Sequence, residues 1–149
     1  MRKTHYRDYA TEAFRFWAVE GPAEKYKQRL WEEAVQRQNR IEGGSGISCP
    51  SEAAIIRTEQ ELEDAEATIA DLEAVDKTLV ELQTRGNGAA IMEALRVVYM
   101  DRPDRELEPG DISARVHKAE LTIPASERSI FNWLALARRT FARERKLRL

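Results

Sequence analysis

Apolar residues recur along this chain at spacings of three and four, the period of helices with one buried face. Tyr6, Tyr9, Ala10, Ala13, Phe16 and Trp17 fall close to one side of a first helix, about residues 4–19. The area that such an aromatic stripe buries points to core, with a partner-docking face as the alternative. Gly21-Pro22 breaks the pattern, and Pro22 is well placed to begin a second helix. There Tyr26, Leu30, Ala34 and Ile41 make an apolar edge that Trp31 widens. The two helices are expected to pack as an N-terminal hairpin over residues 1–42.

Residues 43–50 read as a linker, rich in Gly, Ser and Pro. A phosphate-binding loop is not supported, because the Lys-Ser/Thr pair is missing and no predicted strand precedes it. Residues 51–85 then read as one long acidic helix, capped by Ser51, with Glu52 in a first turn that favours negative charge. Ile55, Leu62 and Ile69 recur every seven residues, with Ala65, Leu72 and Leu79 between them. The register falters at Asp76, where Val75 and Leu82 take over. Such a stripe suits either a coiled-coil homodimer through residues 51–84 or an arm packing on the N-terminal helices.

The remaining chain, residues 86–149, begins after Arg85-Gly-Asn-Gly88, which suits a helix end. Ala89 to Met100 is apolar nearly all round and predicts a buried central helix. A polar loop follows, whose Arg102 and Arg105 are read as exposed charge, with phosphate contact as the alternative. Asp111 is the expected cap of the next helix, with Ile112, Val116 and Ala119 on one face. Leu121-Thr-Ile-Pro124 interrupts it, because Pro124 biases Ile123 away from helical backbone. Ser126 caps a longer helix whose apolar stripe is Ile130, Leu134, Ala137 and Phe141. Arg128, Asn132 and Arg139 lie on another face, flanked by Arg138 and Arg143. A short helix, a turn and a basic helix are the layout of a helix-turn-helix, and the fold predicted for the whole chain is all-α.

Charge sharpens this picture. The chain's net charge of −2 hides ten acids against Arg57 and Lys77 over residues 50–82, a local net of −8. Residues 111–149 carry nine Lys and Arg against four acids, a local net of +5. Charges beyond a Debye length of about 8–10 Å are screened, so the basic end can attract an anionic partner despite the overall balance. The acidic run reads as a solvated face, or as a device that keeps its helix off DNA. A single Cys49 excludes an intramolecular disulfide. No apolar run reaches the ~18–20 residues of a membrane helix and no signal-peptide core follows the N-terminus, so a cytoplasmic protein is expected, away from membranes.

At the basic helix the sequence resembles known families. Ser126-Glu-Arg-Ser-Ile-Phe-Asn-Trp-Leu-Ala-Leu-Ala-Arg-Arg139 is similar to the recognition helix of sigma-factor region four, and to phage late-gene regulators of the ArpU and RinA type. Their pattern is roughly Ser-x-x-Thr-Val-x-x-x-Leu-x-x-Ala-Arg, with Ser129 here in place of Thr. Ile91 to Met100 resembles the helix before that motif, and Asp111 to Ala119 its first helix. The turn departs from the pattern in its length and in Pro124, and the N-terminal half shows no core-polymerase-binding region. The resemblance implies a transcriptional regulator in a phage or prophage setting. Its partner would be double-stranded DNA, with RNA polymerase as a candidate second partner and no cofactor.

The chemistry available agrees in kind. Arg128 can bond guanine O6 and N7, and Asn132 can bond adenine N6 and N7. Glu127 either accepts from a cytosine amine or serves the helix dipole. Arg138, Arg139, Arg143, Arg145, Lys146 and Arg148 are expected along phosphates, and Ser126 and Ser129 complete the candidate DNA-binding set. Trp133 is read as packing rather than contact. His5, His117 and Cys49 make no recognised metal spacing, and no nucleophile elbow or nucleotide loop occurs, so no catalytic residue, metal ligand or enzyme activity is expected. Two other readings stay open: a small-terminase-like DNA-packaging adaptor, and a helical module that binds an acidic protein.

Overall fold

A computed structural model describes residues 6–41 and 52–147. Among these residues there are seven helices and no strand: α1 (Tyr6–Glu20), α2 (Ala23–Ile41), α3 (Glu52–Asp64), α4 (Glu66–Gln83), α5 (Gly88–Val98), α6 (Asp111–Glu120) and α7 (Glu127–Arg145). The all-α class is therefore as expected. The linker at 43–50, Ser51, His5, Cys49 and Arg148 lie outside the described residues.

A continuous core joins α1, α4, α5, α6 and α7, with Phe14, Val75, Leu95, Val116, Leu134 and Phe141 among its members. It draws on α1 and α4 as well as on the residues after 86. Phe14, outside the predicted aromatic stripe, is fully buried and stacks on Tyr99 at a centroid distance of 5.7 Å. It also meets Phe141 at 5.9 Å. Tyr9, inside that stripe, is 41% exposed. With aromatics on several sides of α1, hydrophobicity alone points the helix less well than its small residues do: Ala10 and Ala13 permit the close approach and are buried.

The predicted α1–α2 hairpin is not what forms. The two helices meet at their corner, where Phe16 and Tyr26 touch edge-on at 6.1 Å, but α2 then packs on α3 and α4 while α1 packs on α4 and α7. Gly21 turns the chain with φ +86, and its N–H closes α1 on the Trp17 carbonyl at 2.7 Å. Asp76 fixes the corner. One carboxylate oxygen accepts the Trp17 indole N–H at 2.8 Å and the other accepts the Ala23 N–H at 3.1 Å. The residue at which the heptad register falters is therefore the one that holds α1 and the start of α2 onto α4.

The long acidic helix is divided at Ala65, whose N–H is shared between the Glu61 and Leu62 carbonyls at 3.1 and 3.2 Å. No Gly or Pro causes the break; α2 lies against both halves. Leu72, Val75, Leu79 and Leu82 are buried within the chain itself. Of the predicted heptad positions, Leu72 and Leu79 are thus taken up within the chain, while Ile55, Leu62, Ala65 and Ile69 stay partly exposed. At the end of α4 the chain reverses sharply into α5. A Cβ on Gly88 would lie 2.7 Å from the Gln83 carbonyl oxygen and 2.8 Å from that of Leu82.

The buried α5 ends among carbonyls that need donors, and two arginines supply them. Arg115 of α6 donates to Val98 and Asp101 carbonyls at 2.9 and 2.7 Å. Arg15 of α1, only 2% exposed, donates to the carbonyls of Tyr99 and Arg102 at 2.9 Å each, and to that of Arg105. Burial, and then the neighbouring Arg115, lowers the Arg15 pKa, but an arginine begins so high that it stays charged.

Candidate nucleic-acid interface

Two helices and the turn 121–126 carry the candidate DNA-binding set, Arg138, Arg139 and Arg143 included; of the predicted phosphate row only Lys146 and Arg148 fall beyond α7. The helix α6 starts at Gly110, whose φ of +89 only glycine adopts readily, so Asp111 is not the cap. Its carboxylate instead accepts the Glu108 N–H at 2.7 Å and holds the preceding turn. Val116 and Ala119 anchor α6, and Ile123 plugs the turn into the core, its N–H bonded to the Ala119 carbonyl at 2.9 Å. Ser126 caps α7 as expected: its hydroxyl oxygen accepts the Ser129 N–H at 3.1 Å and lies 3.2 Å from the Ser129 hydroxyl. Both serines are thus occupied in starting the helix.

The back of α7 is the predicted stripe, with Ile130, Leu134, Ala137 and Phe141 all fully buried. The front presents Arg128, Asn132 and Arg139, all exposed and spaced at i, i+4 and i+11. Among the described residues these three make no ion pair or side-chain hydrogen bond. Phe131, not singled out from the sequence, is 40% exposed beside them. Trp133 is partly buried and packs against the core, as expected.

The other arginines of α7 have partners within the fold. Arg138 turns inward and donates to the Tyr99 hydroxyl at 2.6 Å. Arg143 grips both carboxylate oxygens of Glu81 at 2.8 and 2.7 Å. Arg145 donates to Asp71 at 2.8 Å, and this bond first of all raises its pKa. Asp71 also accepts the Tyr9 hydroxyl at 2.6 Å. The acidic helix is therefore a partner of the distal basic helix rather than only a solvated surface. Opposite local charges in the sequence signalled it; the pairing depended on how α4 crosses α7.

Two groupings bring together residues far apart in sequence. Tyr6 and Arg7, at the start of α1, line one concavity with Ala135, Arg138 and Arg139. His117, Glu120 and Glu127 have potential ligand atoms within 4.8 Å of one another, with His117 Nδ1 at 3.4 Å from Glu127 Oε2. One imidazole and two carboxylates are the described residues placed to hold a metal ion; His117 and Glu120 stand three residues apart on α6, and the His117–Glu127 contact brings in the third. That contact occupies Glu127 at the first turn, where its charge suits the helix dipole.

No described helix is long and apolar enough to cross a membrane. Comparison with protein-family models, with curated proteins and with solved structures finds no match to this chain.

Proposed function

We propose that this chain binds duplex DNA in a sequence-dependent manner, as a transcriptional regulator of the phage late-gene type, with α6, the turn and α7 acting as a helix-turn-helix. The observation that carries the proposal is the exposed, unpartnered set Arg128, Asn132 and Arg139 on one face of α7, while the remaining arginines of that helix are engaged within the fold. Arg128 and Asn132 stand four residues apart, about 6 Å along the axis, a span of roughly two base steps. Both are in the first turns of the helix, the part that meets base edges in this docking geometry. Arg139 lies farther along and serves a phosphate. RNA polymerase remains a candidate second partner under the resemblance, and no cofactor or catalytic step is involved.

Selection of bound duplexes from a random pool tests this, run beside an Arg128→Ala/Asn132→Ala variant over a salt series. An enriched site that the variant no longer prefers supports base readout, with each bidentate contact worth about 1–3 kcal/mol of discrimination. Equal, salt-sensitive binding to every duplex by both proteins would instead favour the packaging adaptor, whose ring of subunits is measurable by mass. The protein-interaction reading is supported by Phe131 at 40% and Leu121 at 76% exposure, both near the same turn. It takes precedence if no duplex is bound even at low salt.

A further inference from the structure

We infer that the first turn of α1 belongs to the same DNA-facing surface, and that Tyr6 and Arg7 join Arg138 and Arg139 to seat one phosphodiester group of the duplex backbone. The inference rests on the DNA-binding proposal and extends it to an element more than 120 residues away, outside the stretch that carries the family resemblance.

These four residues and Ala135 line a concavity of about 210 Å³. Its lining holds three guanidinium groups and a phenol, and no carboxylate. Asp8 and Glu12 of α1, with Glu108, line an adjoining cleft that Arg7 and Arg138 also border, yet neither arginine forms an ion pair with them among the described residues. An oxyanion is the ligand that such a lining recognises, because guanidinium forks and a phenol O–H all donate. Arg7 is exposed and has no ion pair among the described residues. Arg138 is held in place, since one of its nitrogens donates to the Tyr99 hydroxyl while the rest of its five N–H donors stay uncommitted. The start of a fifteen-residue helix adds the positive end of its dipole.

The duplex backbone is favoured over a free phosphate by where the concavity lies. Arg139 belongs both to this lining and to the face that carries Arg128 and Asn132. From Asn132 to Arg139 is about 10 Å along α7, close to the ~12 Å width of a major groove. With Asn132 at a base edge, an anion beside Arg139 is at the groove's rim, where a backbone phosphate runs.

The test uses the full chain with Arg7→Ala and Arg7→Lys, Arg7 being exposed so that the fold survives, as circular dichroism would check. Affinity for the selected duplex and for an unrelated one is measured over a salt series. Arg7→Ala should weaken both duplexes together and leave the enriched site unchanged. Its plot of log affinity against log salt should be shallower by about 0.9, so its deficit should shrink about 3.5-fold between 50 and 200 mM salt. Arg7→Lys should restore most of that slope. Methylphosphonate substitution at single phosphates should find one position that weakens wild type and leaves Arg7→Ala unaffected.

Wild-type affinity and slope in Arg7→Ala would overturn the inference while leaving DNA binding intact. A changed base preference in that variant would make Arg7 a base reader and also overturn it. Inorganic phosphate that binds at Arg7, with no Arg7-dependent position in the methylphosphonate scan, would assign the seat to free phosphate instead. Failure of wild type to bind any duplex sinks the DNA proposal and this inference with it.

Discussion

The guanidinium of Arg138 donates to the phenol oxygen of Tyr99 at 2.6 Å, so an arginine on the basic helix is tied to the core that supports it. Tyr99 is itself 1% exposed and stacked on Phe14. Tyr99→Phe keeps the ring and removes the acceptor. Urea denaturation should show a loss of about 0.5–1.5 kcal/mol, the usual worth of one internal hydrogen bond. An unchanged midpoint would mean that water replaces the hydroxyl at no cost and that Arg138 is not held.

Arg15 should be among the residues on which stability depends most. Its fork satisfies three carbonyls, those of Tyr99, Arg102 and Arg105, in a place with little access for water. Arg15→Met leaves those acceptors short of donors, and each buried unsatisfied group costs about 1–3 kcal/mol. A total loss of roughly 2–4 kcal/mol is expected, since the loop can relax toward solvent. Arg15→Lys should recover only part, because an ammonium cannot reproduce the fork. Amide exchange over residues 99–105 should accelerate in both variants. Protection that stays at the wild-type level would show that the loop is ordered by something else.

The turn from α4 into α5 has no room for a side chain. Gly88→Ala places a methyl against two backbone oxygens that cannot swing aside. A cost of about 1–3 kcal/mol is expected, of the size found for overpacking. Gly86, whose Cβ would meet nothing within 4 Å, is the control, and Gly86→Ala should be near neutral. Thermal melts of the two variants decide the matter; equal melting temperatures would refute the close approach.

Tyr9 gives the fold an alkaline dependence. Burial first, and the hydrogen bond to Asp71 next, raise its pKa above the ordinary 10.0. The folded protein thus keeps the phenol proton to a higher pH than the unfolded chain does. The stability from this site is complete below pH 10 and is lost as pH rises through the folded value. Tyr9→Phe should cost at most about 1 kcal/mol at pH 7, because the site is open to solvent. It should also fall less steeply above pH 10. Parallel urea midpoints for the two proteins across that range would contradict the assignment.

What the sequence made legible was the part governed by local rules. Ser126 could be read as a cap because a hydroxyl three residues before an open N–H has one efficient use. The stripe Ile130, Leu134, Ala137 and Phe141 could be read because burial follows helical period. Period alone could not place α1, since aromatics surround it and Phe14 is no more apolar than Phe16. Nor could it foresee that Asp76 breaks the heptads in order to hold Trp17, or that Arg15 is buried, because the partners are brought in by tertiary folding. The candidate site divides the same way. Arg128 and Asn132 stood out by their spacing, whereas the commitment of Arg138 and Arg143 elsewhere depends on residues 39 and 62 positions away.

That division makes Arg143 and Arg139 a matched pair for experiment. Both are exposed cations on α7, but one nitrogen of Arg143 donates to both carboxylate oxygens of Glu81, and Arg139 has no acid partner among the described residues. An arginine whose charge is already met releases no counterion from DNA, so only Arg139 should contribute to the salt slope. Arg139→Ala should flatten that slope by about 0.9, and Arg143→Ala should leave it nearly unchanged. In the absence of DNA, Arg143→Ala should cost no more than about 1 kcal/mol, as exposed ion pairs do. Glu81→Gln provides the converse: it frees Arg143, and the salt slope should steepen by up to about 0.9 if that helix end lies within reach of a phosphate. Equal slopes for wild type and all three variants would mean that the DNA path leaves α7 before its last two turns, confining the interface to Arg128, Asn132 and their neighbours.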